Sequence, residues 1–262
     1  MVRPLQPLDL LALVFFDGRA NQARAWDRLD RDEGMLTIWP TLLKEMLQPR
    51  GQRHTLVCSS YGRIGSIVSA RRRSGPKAWD IDLLYLSPDR EQELEESLER
   101  FSTDAIRCLV ERVFLRLPVD SPLLKPARSA GFCPYREESL YQFSGGPRPI
   151  SPQPLRPKTQ VDEQPLFHLY TLVTPQSVHM AEGLTLDEWA QAREPWDGQE
   201  LVCPGEMGPA AWLRLKGNGR VGQFQIMART DLGDKVGGLV DHCLGVLSNK
   251  AFVFTLIADF AP

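Results

Sequence analysis

No two cysteines are spaced as C-x-x-C in this 262-residue chain, and the five it carries, Cys58, Cys108, Cys133, Cys203 and Cys243, are odd in number and far apart. That argues against a disulfide framework or a cysteine zinc site and predicts reduced, mostly buried thiols. His242 stands beside Cys243, but neighbours on a helix point apart and no further ligand follows at i+3 or i+4, so no metal is expected. Charge of one sign is also scarce. With 31 basic and 33 acidic residues the formal net charge is −2, too small to draw the chain to nucleic acid or anionic membrane. The apolar run LDLLALVFF, residues 8–16, is too short to span a bilayer and lacks a signal-peptide cleavage pattern. The expectation is a cytoplasmic protein with small neutral or mixed-charge partners, no nucleic acid and no membrane.

Between Ser144 and Pro165 the sequence runs SGGPRPISPQPLRPKTQVDEQP, rich in proline and nearly free of apolar side chains. Such a stretch buries too little surface to offset its ordering entropy and reads as an extended linker. It divides the chain into expected domains 1–143 and 166–262, with 144–165 between them. In the first, Met1–Leu5 reads as a short strand, and Leu8–Phe16, Ala20–Leu29 and Thr41–Leu47 have helical spacing. Then the period shortens to that of strands. HTLVCSSY (54–61), RIGSIVSARR (63–72) and WDIDLLYL (79–86) predict a three-stranded antiparallel meander with a Tyr-Gly turn. Leu94, Leu98, Phe101, Ala105 and Cys108 then recur at steps of three and four, the stripe of a long amphipathic helix. A strand over 113–117, a short helix over 122–130 and a last strand over 132–143 complete the half, and strand-helix-strand implies a parallel crossover.

The second half repeats this order. A strand is expected over 166–173, a helix over 186–193, a hairpin from Ala210–Leu215 and Val221–Arg229 through Gly217-Asn218-Gly219, a helix over 234–247 and a strand over 251–257. It ends short of the first half's plan. The six tryptophans are scattered and read as core or domain-interface residues, and Arg71-Arg72-Arg73 with Lys77 reads as solvated surface or an anion-facing cluster.

The order of elements, the segment ARSAGFCPYREESLYQF (127–143) with its Ala-Gly-Phe turn, and LLYLSP (83–88) resemble the GNAT N-acetyltransferase superfamily. The likeness is good over 54–143, loose over the first fifty residues and weaker over 208–260. It implies an α/β (α+β) fold of two GNAT-like domains, each a mixed, mostly antiparallel sheet flanked by helices, with the second truncated at its C-terminus. It also implies N-acyl transfer from acetyl-CoA to an amine or protein acceptor.

Members of that family hold the coenzyme where the fourth strand enters the next helix, through Gln/Arg-x-x-Gly-x-Gly/Ala; glycines let backbone amides converge on the diphosphate while the helix terminus adds positive potential. The stretch SPDREQELEESLERF (87–101) occupies that junction with six acids and no glycine. Arg90 matches, but Glu93 and Glu95 stand at the glycine positions. Each acid at about 7 Å repels each phosphate charge by roughly 0.6 kcal/mol in water. Asp89 is the expected N-cap, with Gln92 three residues on and Glu91 and Glu93 in the first turn, so the chain's own acids are expected where a phosphate would sit. The family's acid tyrosine, four residues before the turn glycine, falls on Ala127, while Tyr135 and Tyr141 read as packing residues. No catalytic residue is therefore assigned, and the first domain is expected to be degenerate. The corresponding junction of the second half, Arg229 to Gly238, carries three glycines and two basic residues off the motif's spacing. Arg229, Gly233 and Lys235 are the candidate coenzyme contacts, and Gly237 and Gly238 are expected to let the helix approach its sheet. The alternative is an inactive GNAT-fold binding or regulatory protein.

Overall fold

Leu94, Leu98, Phe101 and Ala105 fall at helical intervals, and each is at most 2% exposed on helix α1 (Glu91–Arg107). The stripe ends sooner than its spacing suggests. Cys108 lies past the helix end and is exposed, because the chain turns there through Leu109, whose φ of +58° cannot continue a helix. The structure is a computed structural model that describes residues 1–6, 8–9, 16, 19–20, 53–60, 63–87, 90–144 and 149–259. It divides into two units, one of Met1–Cys133 with Gln191–Arg193, the other of Pro134–Ala190 with Glu194–Pro262.

In the first unit α1 packs on a sheet in the order β1 (Val2–Pro4), β3 (Arg53–Ser60), β4 (Arg63–Arg72), β5 (Ala78–Leu86) and β2 (Arg19–Ala20), with β6 (Arg112–Leu115) also against β5. The expected meander is there: β3, β4 and β5 pair antiparallel. So is the crossover, since β6 returns from α1 parallel to β5. Ser66 on β4 and Ser97 on α1 share a buried hydroxyl contact of 2.8 Å that ties helix to sheet. A short helix, α2 (Leu124–Ser129), follows β6. Ala20 pairs in a strand, whereas most of the helices expected over 8–16 and 20–29, all of that over 41–47, the Tyr61-Gly62 turn, Trp26, Trp39 and Asp89 lie outside the described residues.

The second unit holds β8 (Arg156–Pro157), α3 (Glu163–Val173), α4 (Gln176–Glu182), α5 (Leu186–Ala192), β9 (Gln199–Gly205), β10 (Gly208–Asn218), β11 (Val221–Ala228), α6 (Lys235–Val246) and β12 (Phe252–Asp259). The segment 166–173, expected as a strand, is the body of α3. It is mostly apolar, with His168 and Thr171 as the interruptions, but Leu166, Leu169 and Tyr170 are the buried residues, at helical intervals, and Thr159 and Asp162 form a capping box ahead of it.

A second difference concerns β7 (Glu137–Ser144), the strand expected to close the first sheet. It pairs antiparallel with β12 over eight registered pairs, from Phe252↔Ser144 to Asp259↔Glu137. The sheet order is therefore β7-β12-β11-β10-β9-β8, and the division falls between Cys133 and Pro134 rather than at 143. The strand that the second copy lacks in its own sequence comes from before the proline-rich segment. That segment is not a free tether either: Arg156–Pro157 pairs with β9, and Leu155 packs against the core between α6 and the sheet.

Both units contain one local device. In RPLQPLD (3–9), Arg3 pairs with Asp9 at 2.6 Å and the Gln6 amide donates to Asp9 Oδ2 at 2.7 Å. In RPKTQVD (156–162), Arg156 pairs with Asp162 at 2.5 Å and the Thr159 amide donates to Asp162 Oδ2 at 2.7 Å. In each case a short strand, β1 or β8, leads into a helical turn pinned by an arginine six residues back. Among the described residues no helix is long and apolar enough to cross a membrane.

Candidate functional site

Parallel neighbours β11 and β12 stay paired only from Val221↔Phe252 to Phe224↔Thr255. Beyond that point β11 follows β10, ending with Met227↔Trp212 and Ala228↔Ala211, while β12 follows β7 to Asp259. The two strands are each committed to an outer partner, so no pairing joins them past Thr255 among the described residues. The result is a splay at the carboxyl ends of two parallel strands, where α/β sheets receive ligands. An extended ligand bearing amides can add to such a strand edge as a further strand would.

The chain leaves β11 through Arg229, makes a 3-10 turn over Thr230–Leu232, and starts α6 at Lys235. Gly233 adopts φ +47° and ψ −126°, a conformation for which a residue without Cβ is suited, and among the described residues nothing lies within 4 Å of where a Cβ would stand. Gly237, in the first turn of α6, also faces open space. This corrects the expectation that it packs on the sheet. A Cβ added at Gly238 would stand 2.7 Å from the Gln153 side chain, and one at Gly245, two turns on, 2.8–2.9 Å from the backbone of Ile150 and Pro149. The close approach that these glycines permit is to residues 149–153. His242, between them, has its Nδ1 2.9 Å from the Ser151 carbonyl, whereas Cys243 points into the core and burial pushes its thiol up to about 12. Of the three candidate contacts, Gly233 and Lys235 flank the start of α6; Arg229 lies close in sequence, but its Nε and Nη2 donate to Asp231 at 3.0 and 2.6 Å.

The first unit has the same junction in another state. There β5 and β6 pair from Ala78↔Arg112 to Ile81↔Leu115. The far end of that edge is taken, since β2 pairs with it at Arg19↔Leu86 and Ala20↔Tyr85. Helix α1 starts with Arg90 at its cap and with Glu91 and Glu93 in its first turn, where they were expected, while the expected cap Asp89 lies outside the described residues. Glu93 pairs with Arg90, and its carboxylate lies against Gly65 of β4, 1.8 Å from where a Cβ at that position would be. The basic cluster is likewise matched from within: Arg71 lies 3.7 Å from Asp80, Arg73 covers the Phe114 ring at 3.8 Å, and Lys77 pairs with Glu111 at 2.5 Å.

A polar group stands beside the splay, built of residues to which the sequence assigns no role there, Tyr135 being expected only to pack. Arg136 precedes β7, whose Glu138 is in register with Ala258 near the end of β12. Its Nη1 donates to Glu182 Oε1 at 2.9 Å and its Nη2 lies 2.5 Å from Glu138 Oε1. The Tyr135 hydroxyl donates to Glu182 Oε1 at 3.3 Å and the Tyr170 hydroxyl to Oε2 at 3.2 Å. Burial opposes the charge on Arg136, but Glu182 and Glu138 outweigh it and hold the guanidinium above its ordinary value. Burial and then Glu182 raise the Tyr170 phenol, which keeps it a donor. The Tyr170 ring belongs to an aromatic cluster with Trp189 and Trp212, against which Met227 of β11 packs. Tyr170 thus connects the β11 arm of the splay with the residues beside the β12 arm. No sequence signal joins positions 135, 170 and 182, which come from a strand lead-in and two helices.

Among the described residues no group of three His, Cys, Asp or Glu side chains could hold a metal ion. No protein-family model and no curated protein matches the sequence. Solved structures do match in fold. A GCN5-related N-acetyltransferase from Sphaerobacter thermophilus aligns with 100% of this chain and 89% of its own, at 15% identity and a TM-score of 0.57. A candidate acetyltransferase from Thermoplasma acidophilum aligns with 98% of this chain and 91% of its own, at 13% identity and a TM-score of 0.51. A tandem GNAT protein from the clavulanic acid biosynthesis pathway covers 100% of this chain and 91% of its own, at 14% identity and a TM-score of 0.48. Two units, each with a mixed sheet flanked by helices and a parallel pair around a crossover helix, give this chain a tandem GNAT-like fold.

Proposed function

We propose that the protein is a GNAT-like N-acyltransferase that works in its second unit, moving an acyl group from acyl-CoA to an amine, with a first unit that neither binds the coenzyme nor catalyses. The observation that carries this reading is the contrast between the two parallel pairs: among the described residues nothing pairs with the facing edges of β11 and β12 beyond Phe224↔Thr255, while the matching edge of β5 is paired with β2. When bound, acyl-CoA would supply a thioester as the activated acyl donor.

The residues around α6 fit that coenzyme in part. Gly233 and Gly237 leave room for a diphosphate to approach the backbone, Lys235 brings a cation, and the helix terminus adds about half a positive charge. Arg229 contributes only by exchanging Asp231 for a phosphate. In the splay, the edge of Gln225–Ala228 orients an extended ligand so that its reactive end meets the acceptor beside β12. A cytoplasmic setting and a diffusible amine or protein acceptor accord with this reading.

The acids at both junctions favour a second reading, an inactive protein that uses the fold for binding or regulation. Titration of acetyl-CoA with thermal denaturation as readout separates the two. At a hundredfold excess over Kd the coenzyme stabilises the fold by about 2.7 kcal/mol, and Lys235→Glu removes the shift. An unchanged denaturation temperature at millimolar acetyl-CoA rules out the transferase.

A further inference from the structure

We propose that the outer edge of β7 is a dimerisation surface, where a second copy of this chain adds its own β7 antiparallel across a two-fold axis and joins the two sheets into one. The surface stands apart from the transferase reading, since it rests on this strand alone.

The second sheet ends at β7, which pairs among the described residues only with β12. A strand at the end of a sheet presents a row of N–H and C=O groups with no strand beside it, and proteins blunt such rows with short strands, proline, lysine or a bulge. The other outer strands of this chain are blunted. β1 has three residues and ends in Pro4, β8 has two and ends in Pro157, β2 has two and β6 has four. β7 has eight residues, EESLYQFS, with no proline or lysine, and no bulge interrupts its register with β12. Ser139, Leu140, Tyr141 and Gln142 are all exposed. Successive residues of a strand point to opposite faces, so both faces of β7 reach solvent there. Tyr141 is 48% exposed, and Ile257 of β12, in register with Ser139 and hence on the same face as Tyr141, is 50% exposed. The strand is also ordered in advance, by β12 along one side and by Arg136, which pairs with Glu138 and Glu182, at its start. An ordered strand loses little freedom on pairing.

The position of the charges selects the occupant and its direction. Both acids of β7, Glu137 and Glu138, stand at one end, and the other end, Gln142–Ser144, is neutral. In a parallel pair of copies the acids would meet, and like charges directly opposite destabilise a sheet. In an antiparallel pair centred on Tyr141, Leu140 stands opposite Gln142 of the second copy, Ser139 opposite Phe143 and Glu138 opposite Ser144. No acid then meets another, and the exposed tyrosine meets its own copy. Centring on Leu140 keeps the acids equally apart; a register between these two is excluded, because residues directly opposite must point to one face. Such an isologous contact closes at two chains. The far edge of the sheet is the blunted β8, so the joined sheet does not grow further.

Sedimentation velocity of the full chain without ligand tests this from about 1 to 200 μM, the range for a small interface of one strand pair and its flanking side chains. A monomer of 29.6 kDa is expected to give way to a species of twice that mass and to nothing larger. Tyr141→Lys and Tyr141→Glu each bring like charges together across the axis, and each is expected to raise the dissociation constant of the dimer by at least about fivefold. An equimolar mixture of the two variants is expected to restore a mixed dimer, which loss of folding does not give. If either variant fails to fold, hydrogen exchange of the unaltered chain is read in its place: residues 139–143 should exchange more slowly at the higher concentration. A chain that stays monomeric throughout overturns the proposal, even where the edge accepts a strand of another protein. So does a dimer that both variants keep at full strength, or exchange over 139–143 that is the same at both concentrations.

Discussion

Alanine at Gly245 and alanine at Gly237 should move the stability of the second unit in opposite directions, although both change a glycine in the same helix. Each replacement gains helix propensity, up to about 1 kcal/mol. At Gly237 nothing among the described residues lies within 4 Å of the added Cβ, so that gain stands alone. At Gly245 the Cβ meets Ile150 Cα at 2.8 Å and the Pro149 carbonyl at 2.9 Å. Both are backbone atoms and have no rotamer in which to withdraw. Forcing them apart belongs to the overpacking class, at about 1–3 kcal/mol. Because the propensity terms cancel in the comparison, the difference between the variants is the packing term alone. At roughly 2–4 °C per kcal/mol for a chain of this size, Gly245→Ala should melt several degrees below Gly237→Ala, followed by circular dichroism without ligand. Limited proteolysis gives a second readout, since Gly245→Ala should expose the chain near Gln153 to cleavage. Equal melting temperatures would refute the packing of residues 149–153 on α6, and with it the claim that the proline-rich segment belongs to the second unit.

Gly233→Ala should lower stability by about 1–3 kcal/mol through backbone strain alone, since the φ there is positive and the space is open; a neutral result by denaturant titration would mean that the turn relaxes. Phe101→Ala, at a fully buried site on α1, should cost about 3–5 kcal/mol, measured the same way. Acid titration should reveal the two arginine-held carboxylates. The guanidinium of Arg3 and that of Arg156 hold Asp9 and Asp162 below the usual carboxylate range. A depressed group contributes stability that is complete above its unfolded value, near 3.9, and is lost as pH falls through the folded one. Asp162→Asn should therefore destabilise at pH 7 and much less in strong acid, and an equal loss at both would deny the ion pair its role.

The legible parts of this fold were those set by local pattern. The stripe Leu94–Leu98–Phe101–Ala105 fixes a helix and its buried face, and the alternation and turns of 53–86 fix a meander, because both depend on residues within a few positions of one another. β7 shows the limit: its sequence reads as a strand, but nothing within it says which sheet edge it joins, and it joins the later one. Leu166–Val173 misleads for another reason, since a short, mostly apolar run suits a buried strand and a buried helix equally, and the deciding signal is the capping box at Thr159 and Asp162. The pair RPLQPLD and RPKTQVD, one in each unit, is a local repeat already present in the sequence. At the site, Gly233 and Lys235 follow from their place after a strand, whereas Arg229 is spent on Asp231, a neighbour only two residues away. The cluster on Glu182 spans 47 positions of sequence and becomes visible only in the folded chain.

The central claim is that the second unit keeps the coenzyme's strand edge open while the first has closed it with its own chain. Hydrogen exchange of the full protein with and without saturating acetyl-CoA tests this most directly. Slower exchange over residues 225–238 with no change over 82–97 is the predicted result; slower exchange over 82–97, or none in either stretch, would contradict it.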